Sequence, residues 1–272
     1  MRPEIPVLTE KARLLRRDVF SMVFECGEGH PGAALSCADL IAALYFHIMR
    51  VDPANPDWPQ RDRFILSKGH ACPSYYAALA RREFFPIDWL PNLRRLGSPL
   101  QGHPVMKKTP GVDMTTGSLG HGIPIGAGMA AAGRLARLDY FVYVIVGDGE
   151  LNEGIVWEAA QSAAHMRLGR LIVFVDNNGW QSGGLVKDVS GFTNVTPAFA
   201  AFGWHVQEID GHDFGQILDA VDQAQDQSER PSLILAKTIK GKGVPFTEND
   251  NSWHKRTATK AELEAALKFL EN

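Results

Sequence analysis

Two short apolar runs constrain this chain more than anything else in it. Phe141-Val142-Tyr143-Val144-Ile145-Val146 leads straight into Gly147-Asp148-Gly149, and Leu171-Ile172-Val173-Phe174-Val175 into Asp176-Asn177-Asn178. Unbroken, β-branched runs of this length read as strands buried on both faces, as in a parallel sheet. Between them, Asn152 to Leu168 has helical spacing, with Ile155, Ala159, Ser162 and Met166 on one stripe. The unit is β-α-β, so the expected class is α/β, a mostly parallel sheet flanked by helices. Both motifs then fall at the carboxyl ends of strands, where open α/β sheets bind ligands.

The side chains at those ends select a chemistry. A carboxylate (Asp148) and an amide oxygen (Asn178) are hard donors, suited to Mg2+, Ca2+ or Mn2+ rather than zinc. Magnesium keeps positions for water and substrate phosphates, so a diphosphate would complete such a site. The glycines let the backbone approach an anion and present amide donors at the start of the following helix. Taken alone, Gly-Asp-Gly is a common strand-to-helix turn and Asn-Asn is bland. The pair, one helix apart, is a much rarer coincidence.

The rest of the chain is consistent with one large α/β domain over residues 1–272. Hydrophobic residues make up 45% and the net charge is −3, which argues against disorder and against a nucleic-acid surface. Arg13, Arg16 and Arg17 read as the solvated face of an amino-terminal helix over 10–25. No apolar stretch reaches eighteen residues, so no membrane span is expected. Met1-Arg2-Pro3-Glu4-Ile5-Pro6 lacks the apolar core of a signal peptide. Cys26, Cys37 and Cys72 are odd in number and without metal-ligand spacing, which fits a reducing cytoplasm.

Ser36, with Asp39 three residues later, reads as the cap of a helix carrying Leu40, Ile41, Leu44 and Ile48. Residues 83–117 are rich in proline and glycine and read as loop with short helical turns. A small-residue helix is expected over Leu119–Leu138, and strands over Trp204–Ile209 and Leu233–Ala236, with a helix from about Phe214 to Gln227 between the strands. Thr259 and Glu262 form a capping box for a last helix striped by Leu263, Leu267 and Leu270.

Gly-Asp-Gly followed some thirty residues later by Asn-Asn resembles the thiamine diphosphate and metal motif. The surrounding motifs resemble the amino-terminal, diphosphate-binding domain of transketolases: Gly29-His30-Pro31-Gly32, Leu66-Ser67-Lys68-Gly69-His70-Ala71, Gly102-His103-Pro104, Thr115-Thr116-Gly117-Ser118-Leu119-Gly120 and Gly147-Asp148-Gly149-Glu150-Leu151-Asn152-Glu153-Gly154. The likeness runs from about residue 10 to about 255. It implies the thiamine diphosphate-binding fold of the PP type. It also implies that Asp148, the Asn178 side chain and the Trp180 carbonyl hold the metal, with Gly117, Gly147 and Gly149 at the cofactor. By the same resemblance His70 and His254 bond the diphosphate, Leu119 lies beneath the thiazolium ring, and His30 and His103 face the sugar. Glu153 resembles a carboxylate used at the subunit contact and at the cofactor; its plain reading is a favourable acid in a first helical turn. His121 departs from single-chain transketolases, which usually have Gln there, and matches what the split relatives would carry. His47, His165, His205 and His212 have no motif around them and are taken as structural.

Thiamine diphosphate enzymes use two domains per cofactor, and the second carries the glutamate that activates the aminopyrimidine. The chain reaches only Asn272. The resemblance therefore implies that the pyrimidine-binding and carboxy-terminal domains come on a partner chain, with α2β2 as the natural arrangement. The activity implied is transfer of a two-carbon ketol unit from a ketose phosphate to an aldose phosphate. One alternative is the α subunit of a 2-oxo acid dehydrogenase, against which Gly-His-Pro-Gly and Ser-Lys-Gly-His-Ala argue. Another is a non-catalytic homologue that binds a partner only. A nicotinamide site on Gly120-His121-Gly122 and Gly126 fails for want of a preceding strand and of an acid at the ribose distance.

Overall fold

The protein, described from a computed structural model, is ordered into elements over residues 4–271. Met1-Arg2-Pro3 and Asn272, on which the readings of the two termini partly rest, lie outside the described residues. Helix α1 (Ile5–Cys26) opens the chain, and α2 (Pro31–Ser36) and α3 (Ala38–Ala43) follow, α3 running on into a π turn over Leu44–Ile48. Strand β1 (Arg63–Leu66) leads into α4 (Cys72–Arg81). The irregular segment that follows contains a short 3-10 turn over Ile87–Asn92, much as its prolines require. Then come α5 (Gly122–Leu135), β2 (Val142–Gly147), α6 (Gly154–His165) and β3 (Leu171–Asn177). A small hairpin, β4 (Trp180–Gln181) with β5 (Gly184–Leu185), precedes α7 (Val186–Val189) and α8 (Val195–Ala201). The chain closes with β6 (His205–Asp210), α9 (Phe214–Gln225), β7 (Ser232–Lys237) and α10 (Lys260–Phe269).

Five strands form one parallel sheet in the order β1-β2-β3-β7-β6, and β2 pairs with β3 so that Gly147 lies beside Asp176. Alternate residues serve opposite faces, as the pleat demands. Tyr143, Ile145, Ile172 and Phe174 pack with the α1–α4 and α9 side, whereas Val142, Val144, Val173 and Val175 pack with α5, α6 and α8. Both layers are apolar, so the strands read as unbroken hydrophobic runs rather than alternating ones. The two motifs end at adjacent strands, and the chain re-enters at β7 beside them, so three strand ends border one crevice.

Several expectations are corrected. Arg16 is buried, not solvated: its guanidinium pairs with Asp39, with Nη1 to Oδ1 at 3.0 Å. Ser36 caps nothing; its hydroxyl donates to Asp176, and Cys37 stands at the start of α3. The buried stripe of α6 is Val156, Ala159, Ala160 and Ala163, while Ser162 is exposed and bonds back to the Glu158 carbonyl. Small alanines let α6 lie close to the sheet, and that close approach sets the stripe. The small-residue helix is shorter than 119–138 because Gly120, at φ +84°, breaks the chain before it. Strand β1 has no signature in the sequence pattern, because only four residues carry it. The Thr259–Glu262 capping box forms as expected.

Candidate functional site

A cavity of about 400 Å³ opens at the carboxyl ends of β2 and β3. Asp148 stands on its floor, 6% exposed, just after β2. Its Oδ1 accepts the Gly149 N–H at 2.8 Å and its Oδ2 the Gly179 N–H at 2.5 Å. Gly179 takes φ +79°, the left-handed turn that brings that amide back onto the carboxylate. Burial, and then the nearby Asp176, push the Asp148 carboxyl up to about 7, as expected of an acid whose position calls for a cation. Asn178, at the head of the turn after β3, accepts the Trp180 N–H on Oδ1 at 3.0 Å and points Nδ2 at Asp176 at 3.1 Å.

Cationic and imidazole groups border the same cavity. Lys68 reaches in beside Ala33, donating to its carbonyl at 2.9 Å and pairing with Asp176. Lys240 donates to Asn251 Oδ1 at 2.5 Å and approaches His254 Nδ1 at 3.1 Å. Burial lowers the Lys240 amine to about 8. His30, His70 and His254 form a ring cluster with centroids 5.1–5.7 Å apart. Burial drives His30 and His254 down to about 4 and His70 lower still, so all three are neutral at pH 7. His103 is more exposed, and is lowered by partial burial and by Arg94.

Each expected site residue but one lines this cavity. His30, His70, His103 and His254 converge on it; Gly117 and Leu119 form one side; Gly147, Asp148 and Gly149 the floor; Asn178 and Trp180 the far edge. Glu153 is the exception. It is exposed at the start of α6 and does not border the cavity, because the 3-10 turn over Gly149–Asn152 carries it outward. Glu150 takes the inward place instead. Its Oε1 accepts from Ser67 and from the Gly120 N–H at 2.6 Å, and its Oε2 from the Gly147 N–H at 3.1 Å.

Sequence reasoning assigns no role to Lys68, Glu150, Asp176 or Lys240. Lys240 stands three residues past the end of β7, in no motif. The other three lie inside recognisable motifs, but their functions depend on segments distant in sequence.

The donors fit a divalent cation with a diphosphate. Among the described residues no three His, Cys, Asp or Glu side chains come together as a metal site, so a cation here would draw further ligands from the anion. Gly149 lies tight against the hairpin: a Cβ there would meet the Gln181 Cβ at 2.7 Å, so only glycine leaves its backbone free to approach a ligand. Two lysines, neutral imidazoles able to donate, and amides at the turn face the same space.

Residues 7–270 match the family described as transketolase, thiamine diphosphate binding domain. The chain is 44% identical over 264 residues to the 6-deoxy-6-sulfo-D-fructose transketolase subunit SqwG of Clostridium sp. (strain MSTE9), covering 97% of this chain and 96% of that one. It is 38% identical over 266 residues to a subunit of the apulose-4-phosphate transketolase of Actinobacillus succinogenes, with 97% and 96% covered. The crystal structure of transketolase from Campylobacter jejuni superposes with a TM-score of 0.93 at 34% identity, over 99% of this chain and 43% of that one. This chain therefore spans less than half the length of that solved relative.

Proposed function

This chain belongs to the transketolase family, by its thiamine diphosphate binding domain, and from that premise we propose that it is the cofactor- and metal-binding subunit of a two-chain transketolase. The reaction is transfer of a two-carbon ketol unit from a ketose phosphate to an aldose phosphate. Residues 1–272 act as one diphosphate-binding domain, and a partner chain brings the pyrimidine-binding domain in an α2β2 assembly in the cytoplasm. In support, two relatives of matching length are named as subunits. Their names also point to unusual sugars, which makes a branched or sulfonated ketose as open a donor as a common pentose phosphate. Among the described residues no helix is long and apolar enough to cross a membrane.

The observation that carries the reading is the cavity itself, which a buried carboxylate, an oriented amide, lysines and neutral imidazoles all border. Asp148, the Asn178 side chain and the Trp180 carbonyl would hold Mg2+, or Ca2+ or Mn2+ in its place. His70, His254 and Lys240 would hold the diphosphate of thiamine diphosphate, with Gly117, Gly147 and Gly149 letting it come close to the backbone and Leu119 beneath the ring. Bound there, the cofactor supplies an electron sink for breaking a carbon–carbon bond next to a carbonyl. His30 and His103, neutral at pH 7, accept or return protons at the sugar's hydroxyls and carbonyl, where a positioned imidazole is worth roughly 10²–10⁴-fold. Their prolines, Pro31 and Pro104, stiffen the backbone that holds each ring in place.

Thermal unfolding of the full chain with Mg2+ and thiamine diphosphate tests the site. Ligand at a hundred times its dissociation constant adds about 2.7 kcal/mol. The wild-type chain is expected to show that stabilisation and Asp148→Ala to lose it. An equal shift in both proteins would refute the assignment.

A further inference from the structure

Asp176 sits at the end of β3 with no exposed surface, and four donors converge on it. Its Oδ2 accepts from Ser36 Oγ, Lys68 Nζ and, at 3.1 Å, Asn178 Nδ2; its Oδ1 accepts from Thr238 Oγ1. The donors come from four separate stretches, each bordering the site. Ser36 closes the helix that begins after His30, Lys68 precedes His70, Thr238 precedes Lys240, and Asn178 is the proposed metal ligand. Three of the four donors crowd Oδ2, more than its two lone pairs can serve, and the fourth takes Oδ1. With no exposed surface and a lysine paired to it, Asp176 is turned away from a cation, although it belongs to the same Asp-Asn-Asn run.

We propose that Asp176 is a positioning residue, which locks the Asn178 amide with Nδ2 turned inward so that Oδ1 is the atom presented to the cation, while Lys68 cancels its charge. The proposal rests on the metal-site reading above. The amide cannot reverse, because Oδ1 would then face a carboxylate oxygen with no proton between them. The Trp180 N–H occupies one lone pair of Oδ1 and leaves the other for a metal. Partners that orient metal ligands commonly set affinity, and losing one costs about 10–100-fold. A buried ion pair is weak evidence of stabilisation, since replacing one by apolar groups of similar size is often neutral or favourable. The value of the Lys68–Asp176 pair lies in orientation.

Mn2+ binding to the full chain with thiamine diphosphate, followed by electron paramagnetic resonance and accompanied by a melting curve without ligand, tests this. The double variant Lys68→Met/Asp176→Leu is expected to stay folded, melting below the wild-type temperature because Thr238 Oγ1 and Asn178 Nδ2 lose an acceptor, and to bind Mn2+ roughly 10–100-fold more weakly. Asn178→Asp supplies a second test that does not disturb the buried pair. A carboxylate is normally the stronger ligand, yet here it would face Asp176 and weaken binding, and the same change in the double-variant background should recover affinity. Wild-type affinity in the double variant, or tighter binding by Asn178→Asp alone, would overturn the positioning role while leaving the site intact. A wild-type chain that binds no Mn2+ would overturn the site reading and this proposal together.

Discussion

His30, His70 and His254 are uncharged for one physical reason: each ring is held among the others and away from water, where an imidazolium is poorly solvated. In the unfolded chain each would titrate near its ordinary value of about 6.5. A depressed folded pKa contributes stability above the unfolded value and loses it as the pH falls toward the folded one. Between pH 6.5 and about 4, unfolding therefore takes up protons at three histidines. Asp148 acts in the opposite sense, being raised to about 7 and favouring the folded chain as it protonates. In the cavity four lowered histidines, His103 among them, oppose two raised acids, Asp148 and Glu150, so the ligand-free chain is expected to lose stability from pH 7 to pH 5. Urea unfolding at the two pH values measures this, and equal midpoints would show that the rings are already charged or solvated. The Gly-His and Gly-His-Pro motifs are legible in the sequence, and their rings border the cavity. Their protonation is not, since it depends on rings from three different loops.

Buried polar contacts tie the elements together at places the helical pattern does not mark. Arg16 on α1 meets Asp39 on α3, and Asp39 Oδ2 also contacts His212 Nδ1 at 2.6 Å, while His212 Nε2 accepts the Ile239 N–H at 2.9 Å. One acid thus joins α1, α3, the turn after β6 and the segment after β7. Burial pulls the Asp39 carboxyl upward, but the Arg16 cation and the His212 contact outweigh it and hold the group below its ordinary range. Asp39→Ala should cost about 3–5 kcal/mol, because a buried guanidinium would be left unpaired. Arg16→Leu/Asp39→Leu should cost much less. Chemical denaturation checks both, and a small loss in Asp39→Ala would mean that water reaches Arg16. An Arg-x-x-Arg-Arg run on an amphipathic helix looks like a solvated face whichever arginine turns inward; only the acid opposite decides. The strands are far easier to read, because burial on both faces leaves unbroken apolar runs.

At the scale of the whole molecule, the sheet order places the ends of β2, β3 and β7 around one crevice, and everything assigned to the cofactor except Glu153 gathers there. If the remaining half of the active site comes on a partner, the chain alone should show no ketol transfer with Mg2+, thiamine diphosphate, a ketose phosphate and an aldose phosphate. Adding the partner chain should restore it. Robust turnover by the single chain would end the two-chain reading. Hydrophobic patterning and short motifs were sufficient to specify the α/β class, the β-α-β unit around Asp148 and Asn178, and the loops bearing His30, His70, His103 and His254. Those features are local: a strand, the turn that follows it and the side chain at its end lie within a few residues. The tertiary structure alone decided that Glu150 rather than Glu153 turns inward, that Lys240 joins the wall, and that Asp176 is filled by Ser36, Lys68, Asn178 and Thr238. Most of these contacts reach partners tens of residues away, and the energy of a buried charge is set by what surrounds it in space, which no run of neighbours along the chain specifies.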